Sequence, residues 1–441
     1  MKASYKIASN TIYQIIGKIV NAAITFFITL ILARSFGIRQ FGQYIQITSY
    51  VAIFYLLVDF GFNAIFLQKI QKQPTKENFY FQNLLSLRVF FALFLTLVAV
   101  LLAVILPYNP LSGQGFSNIV KVGIFIVSIT ILMQAVFVSC NLIFQRNLRY
   151  DKSVWATIGG NAISLAVLVL LIRLGTALLW TMFSLVIGYI VTAFLALRGV
   201  EIFRRIKYET EIDFSLWKRM IVETLPLGII FLFNLIYFRV DALILSLFRT
   251  TEEVGIYGLA YKIFETPLVL PIFLMNAVYP IMLSSKFKVS RQSGIHDVAI
   301  SHSSKASSGQ SSNLRIVRKS FFVLSFLSFI FIILFFFLSP LLSYIKPEFE
   351  QSILPLRILS LSFPFFFLTP VFMWFLIACG KQKLLAIVYG ASLALNILLN
   401  LVFIPKYGYI ASAVITGIGE GVLFIILILS TWNYYKDIEL D

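Results

Sequence analysis

Residues 10–44 read NTIYQIIGKIVNAAITFFITLILARSFGIRQFGQY, and this stretch decides the fold class. From Asn10 to Ala33 it carries one charge, Lys18. A helix of that length rises roughly 36 Å, enough to cross a hydrocarbon core of about 30 Å. It is too long for a signal-peptide core and holds a lysine inside it, so it reads as a retained membrane span. Gly37 and Gly42 then punctuate the way into a second apolar run.

The same reading continues along the 441 residues. Twelve apolar stretches are predicted as spans, at 10–33, 43–67, 83–106, 119–144, 153–173, 176–197, 221–247, 254–283, 318–338, 353–378, 382–404 and 410–430. Barrel strands would alternate apolar and polar residues over about 10 positions; these runs are apolar all round. The expected class is therefore all-α, a polytopic membrane protein. Composition agrees: 59% of residues are hydrophobic and 12% charged, against roughly 25% charged in soluble domains.

Basic residues orient the spans. With both termini inside, 24 of the 36 Lys and Arg fall in inner segments, six in outer loops and six within spans. That asymmetry is the pattern of cytoplasmic N- and C-termini, and it absorbs most of the +17 net charge that would suggest nucleic acid in a soluble protein. No nucleic-acid partner is expected.

The chain also repeats itself. Phe41-Gly42-Gln43-Tyr44 matches Val254-Gly255-Ile256-Tyr257 at an offset of 213, and Gly175 matches Gly408 at an offset of 233. Two pseudo-symmetric six-helix bundles follow, 1–200 and 221–441, joined by a cytoplasmic linker at 201–220. Internal duplication of this kind is a common way to build a transporter around a central site. The Ser-rich inner loop 284–319 has no hydrophobic run and is predicted to be disordered.

Several chemistries lack their residues. The two histidines, His296 and His302, both lie in the Ser-rich loop, and Cys140 and Cys379 stand far apart at the inner ends of spans. Neither a metal site nor a cofactor is expected, and no phosphate-cradling glycine loop is present for ATP. Glu209, Glu211 and Asp213, the nearest approach to an acidic cluster, read as a solvated face of the linker. No catalytic residue is assigned.

Ionisable groups inside spans carry the functional signal, because each costs about 2.5–3.5 kcal/mol at mid-membrane if it faces lipid. Thr11, Gln14, Lys18, Asn21 and Thr25 follow a 3, 4, 3, 4 spacing and form one polar stripe. An interhelical hydrogen-bond seam would explain the uncharged members but not Lys18. Asp59 and Asn63 stack at i, i+4; Ser412, Thr416 and Glu420 repeat that spacing. Asn234, Tyr237 and Asp241 share a face from which Arg239 points away, and Lys262 and Glu265 are placed to pair at i, i+3. Arg88, Lys121 and Arg357, near span ends, read first as snorkelling, most clearly the last two. Pro226, Pro267, Pro271, Pro364 and Pro370 are expected to interrupt the helices that hold them.

Three segments resemble the polysaccharide-exporting flippases, the O-antigen and capsule translocases of the multidrug/oligosaccharidyl-lipid/polysaccharide exporter superfamily. They are Asn10 to Arg34 with Phe36-Gly37 and Phe41-Gly42-Gln43-Tyr44; Phe238-Arg239-Val240-Asp241 through Val254-Gly255-Ile256-Tyr257 to Lys262; and Leu399-Asn400 through Ile404-Pro405-Lys406-Tyr407-Gly408 to Ala411 and Ala413. The chain departs from the family at the long Ser-rich loop and at Ile410-Ala411-Ser412-Ala413, where Gly-Ala-Ala is usual. The resemblance implies a non-enzymatic flippase in the bacterial cytoplasmic membrane. It would carry undecaprenyl-pyrophosphate-linked oligosaccharide between leaflets by alternating access, with lipid and the polymerase and chain-length machinery as partners. On that reading Lys18, Arg88, Arg239, Lys262, Gln14, Asn21 and Thr25 line the substrate path, and Asp59, Asp241, Glu265 and Glu420 serve ion coupling or gating. A small-molecule or multidrug antiporter of the same superfamily is the alternative, and a membrane glycosyltransferase or polymerase a third reading. A cationic-drug exporter should favour carboxylates over the Lys and Arg seen here, and a transferase should show an acidic cluster or a large outer loop.

Overall fold

The computed structural model describes residues 2–63, 66, 69–70, 73–204, 212–272, 274–275, 278, 306–379 and 381–439. The helices are α1 (Lys2–Asp59), α2 (Glu77–Ile105), α3 (Asn118–Arg146), α4 (Tyr150–Arg173), α5 (Leu178–Arg204), α6 (Phe214–Phe248), α7 (Thr251–Glu265), α8 (Ala306–Leu338), α9 (Ile353–Ser360), α10 (Phe363–Ala378) and α11 (Gln382–Glu439). Among the described residues, eight helices are long and apolar enough to cross a membrane. Two of these, α1 and α11, are each a pair of spans. In both, one helix is folded at a glycine with positive φ, Gly37 at +74° and Gly408 at +59°, a conformation that glycine adopts without the steric penalty other residues meet. The 35-residue α6 and the shorter α7, extended by the Thr266–Leu268 turn, stand where the seventh and eighth spans are expected. The protein is an all-α polytopic membrane protein.

Helix ends follow local chemistry. Ser117, Asp213 and Thr250 cap α3, α6 and α7 by accepting from the amides of Val120, Leu216 and Glu253, satisfying donors that the first turn leaves open. Pro364 sits in the first turn of α10, where its missing N–H costs nothing, while Pro370 is carried inside that helix. Pro267 opens the turn after α7. The expected span at 353–378 is divided into α9 and α10 at Leu361 and Ser362.

One feature is new and one expectation changes. A two-stranded hairpin, β1 (Tyr108–Asn109) and β2 (Gln114–Gly115), fills the loop after α2. Residues 306–319, expected to be disordered, are helical and extend α8; this segment has no proline and one glycine, Gly309, so the helix of the apolar span can propagate into it. Residues 284–305, with His296 and His302, lie outside the described residues, as do Glu209 and Glu211.

Helices α2 to α5 pack on one another and on α1, and α8 to α11 pack around α6 and α7. The two sets meet through α1, whose second arm lies on α6 and α7. At the face away from the N-terminus, here the far face, the contact is reciprocal. A methyl added to Gly42 would stand 2.0 Å from the Thr251 carbonyl oxygen, and one added to Gly255 would stand 2.3 Å from that of Ile38. Ile38 and Thr251 are themselves 213 residues apart, so the repeated motif forms both sides of its own interface. Phe41 packs edge-on against Phe349 at 5.7 Å, Ile38 donates its N–H to Glu348 at 2.9 Å, and Arg39 meets Glu252 at 3.3 Å. Near the N-terminal face Lys69 pairs with Glu223 at 2.9 Å, and Phe90 packs on Trp217 at 5.4 Å.

Candidate functional site

The charged groups inside the helices fall into two separate clusters. In the second half, Arg239 of α6 donates to Glu265 of α7 at 3.1 Å, and Lys262 donates to the other oxygen of the same carboxylate at 3.3 Å. These side chains stay partly exposed, at 21% for Arg239, 23% for Lys262 and 37% for Glu265. The i, i+3 pair expected from sequence is therefore present, with Arg239 as a third member.

Asp241 lies beside this triad and is 5% exposed. It accepts from the Tyr257 hydroxyl, from its neighbour Ala242 N–H at 2.7 Å and from Thr416 of α11 at 3.3 Å. Arg239, Asp241, Tyr257, Tyr261 and Lys262 line one small pocket closed on the other side by Ile45 and Ser49 of α1. Counted with Glu265, which pairs with both cations, the two cations and two carboxylates give this pocket a formal charge of zero, which becomes +1 if Asp241 takes up a proton. One helical turn nearer the N-terminal face, Tyr237 donates to Glu420 at 3.1 Å. Both carboxylates thus bridge α6 to α11.

In the first half, Arg88 of α2 is fully buried. It donates to Asp59 at 2.7 Å, to Asn63 at 2.8 Å and to Ser139 of α3 at 3.3 Å, and lies 5.7 Å from the Phe62 ring centre. Snorkelling is therefore not its role.

The polar stripe of α1 divides. Asn21 donates to Thr157 at 2.8 Å and accepts from Asn161 at 2.7 Å, which fastens α1 to α4. Lys18 and Thr25 are exposed and Gln14 is half-buried. Lys121 donates to the Val104 carbonyl at 2.9 Å, and Arg357 donates to Ser339 at 2.9 Å and lies over Phe336, as expected of cations anchored near span ends.

Next to the charged pocket, a cavity of about 660 Å³ opens between α1, α7 and α8. Its lining includes Ile19, Phe26, Ile263, Phe331, Phe335 and Leu342, with Thr266 and Ser339 as the polar exceptions. Ile19 directly follows Lys18 and Ile263 directly follows Lys262, so each cation adjoins the apolar space along its helix.

Tyr257, Tyr261 and Ser139 were not singled out for the site from the sequence. The i, i+4 spacing of the two tyrosines immediately before Lys262 is a signal that could have marked them.

The two sets of helices thus meet around buried charge and an apolar cavity. The chain belongs to the family described as Polysaccharide biosynthesis protein, whose sequence profile matches residues 7–286. Its fold is that of flippases and transporters. It is similar to the Lipid II flippase MurJ in an inward closed conformation (TM-score 0.69, 16% identity, 96% of this chain and 87% of that one). It is also similar to an inward-facing multidrug resistance MATE family transporter of the MOP superfamily (0.67, 11%, 95% and 94%) and to the eukaryotic MATE transporter AtDTX14 (0.64, 14%, 97% and 96%). Among curated proteins no sequence matches at a significant level.

Proposed function

We propose that the protein flips an oligosaccharide linked through pyrophosphate to a polyprenyl lipid, an O-antigen or capsule repeat unit, across the bacterial cytoplasmic membrane by alternating access, with both termini cytoplasmic. The observation that carries this reading is the convergence of Arg239 and Lys262 on a single carboxylate. Glu265 holds the place that a phosphate oxygen would take, so a pyrophosphate can displace it and gain two charge-assisted hydrogen bonds. The apolar cavity beside Lys18 and Lys262 suits a hydrocarbon chain, leaving the sugar in the polar space between the bundles. A polymerase with its chain-length machinery would receive the unit at the far face.

Two variants separate the roles of the carboxylates. Glu265→Gln leaves both cations without their internal partner. It should bind a polyprenyl diphosphate at least about tenfold more tightly and release it more slowly, since a hydrogen bond to a charged group is worth roughly 1.5–3 kcal/mol; unchanged affinity by equilibrium binding would remove Glu265 from the site. For coupling, Asp241 and Glu420 are the proposed ion-responsive groups, with Asp59 in the first half. Asp241→Asn combined with Glu420→Gln should fix the pocket at +1 and flatten the dependence of transport on an ion gradient, whereas full dependence in that variant would exclude both.

The size and apolar lining of the cavity also favour a second reading, export of a small lipophilic molecule, since pockets of roughly 300–1,000 Å³ suit drug-sized ligands. Binding of polyprenyl diphosphate and polyprenyl alcohol to the purified protein distinguishes the two. The flippase reading expects a preference for the diphosphate of more than about tenfold; equal affinity favours the small-molecule exporter.

A further inference from the structure

Part of the N-terminal-face contact between the halves, that of Phe60 with Gly228 and of Lys69 with Glu223, follows a break at the end of α1 that the substrate path does not explain. After Asp59 the backbone takes positive φ at two successive residues, Phe60 at +40° and Gly61 at +78°, and helical geometry returns at Phe62. Glycine accepts this conformation, whereas a phenylalanine there is strained. Two sets of contacts hold the strained residue in place.

The first is Arg88, whose Nη2 donates both to Asp59, the last residue before the break, and to Asn63, just beyond it; Asn63 in turn donates to Asp59 at 3.1 Å. One guanidinium thus joins the two arms, and the Ser139 hydroxyl ties it to α3. The second is the Phe60 ring, which lies so close to Gly228 of α6 that a methyl there would come within 2.5 Å of it. The residues beyond the break include Lys69, which pairs with Glu223 of α6. The break and the residues beyond it therefore carry one part of the contact with the other half near this face, beside the α2–α6 packing at Phe90 and Trp217, and Arg88 fixes the angle at which they do so.

We infer that Phe60–Gly61 is the hinge on which the N-terminal-face gate opens, and that Arg88 is the positioning residue that holds the hinge bent and the gate shut. Relaxation of this break towards a continuous helix would draw Phe60 away from Gly228 and Lys69 away from Glu223. The inference does not depend on which substrate is carried.

Spin labels at Thr75 and Lys218, both exposed at the N-terminal face, report the gate; labels at Leu111 and Tyr344, exposed at the far face, serve as the control. Electron-electron distance measurements on the full chain in nanodiscs should give mainly the short Thr75–Lys218 separation in the parent. Arg88→Gln should move the shut-to-open ratio by roughly tenfold towards longer separations and leave the far-face pair unchanged. Gly61→Ala should do the same, because it penalises the bend while keeping Arg88, Asp59 and Asn63 intact, so it decides the matter even if Arg88→Gln does not reach the membrane. Unaltered Thr75–Lys218 distances in Gly61→Ala, or equal broadening at both faces, would overturn the hinge.

Discussion

Arg239→Ala is expected to slow translocation of a polyprenyl-diphosphate oligosaccharide by at least about thirtyfold while leaving the protein folded in the membrane. Removing the guanidinium leaves Lys262 facing Glu265 and Asp241, so the pocket goes from a formal charge of zero to −1. A pyrophosphate would then meet net negative charge and lose a hydrogen bond worth roughly 1.5–3 kcal/mol. The fold should tolerate the change, since Glu265 keeps Lys262 as its partner. Arg239→Lys restores the charge without the planar fork and should recover only part of the rate. Initial rates in proteoliposomes, read beside thermal melting of the same preparations, check this; a normal rate in Arg239→Ala would remove the cationic pocket from the mechanism.

Gly42→Ala or Gly255→Ala should each prevent the far-face contact from closing. At these positions the added methyl would meet a backbone carbonyl at 2.0 or 2.3 Å, and a backbone carbonyl in a packed helix has nowhere to move. Small residues at helix crossings permit this close approach. The expected result is a protein trapped with the far face parted and transport reduced to background. Because each glycine meets the carbonyl related to the other by the repeat, the two substitutions should have nearly equal effects. The Leu111–Tyr344 spin-label distance measures the trapping directly; parent-like distances and transport in both variants would show that this interface does not gate.

The helical plan was legible in the sequence because each span satisfies its own backbone and announces itself by length. Lys262 with Glu265 was legible for the same local reason: three residues on one helix face fix their neighbourhood. Arg239 joining them was not, since it depends on how α6 lies against α7. Asp59 and Asn63 could be placed together by spacing, yet the role of Arg88 could not, because its partners come from α1 and α3 and the break at Phe60–Gly61 has no sequence marker beyond one glycine. The spacing of the polar stripe of α1 was visible, but nothing local reveals that Asn21 meets Thr157 and Asn161 of α4 while Lys18 and Thr25 stay exposed. The repeat at Phe41–Tyr44 and Val254–Tyr257 was visible as a repeat; that its copies touch depends on how α1 lies against α7. Ser-rich composition misled at 306–319, where a helix continues from an apolar span.

The most direct test is reconstitution of the purified chain into liposomes with a fluorescent polyprenyl-diphosphate oligosaccharide in one leaflet, followed by quenching from outside. The proposed function predicts that the headgroup reaches the opposite leaflet at a rate proportional to protein and lost in Arg239→Ala. Headgroups that stay where they were placed, while the same vesicles move a lipophilic dye, would contradict it.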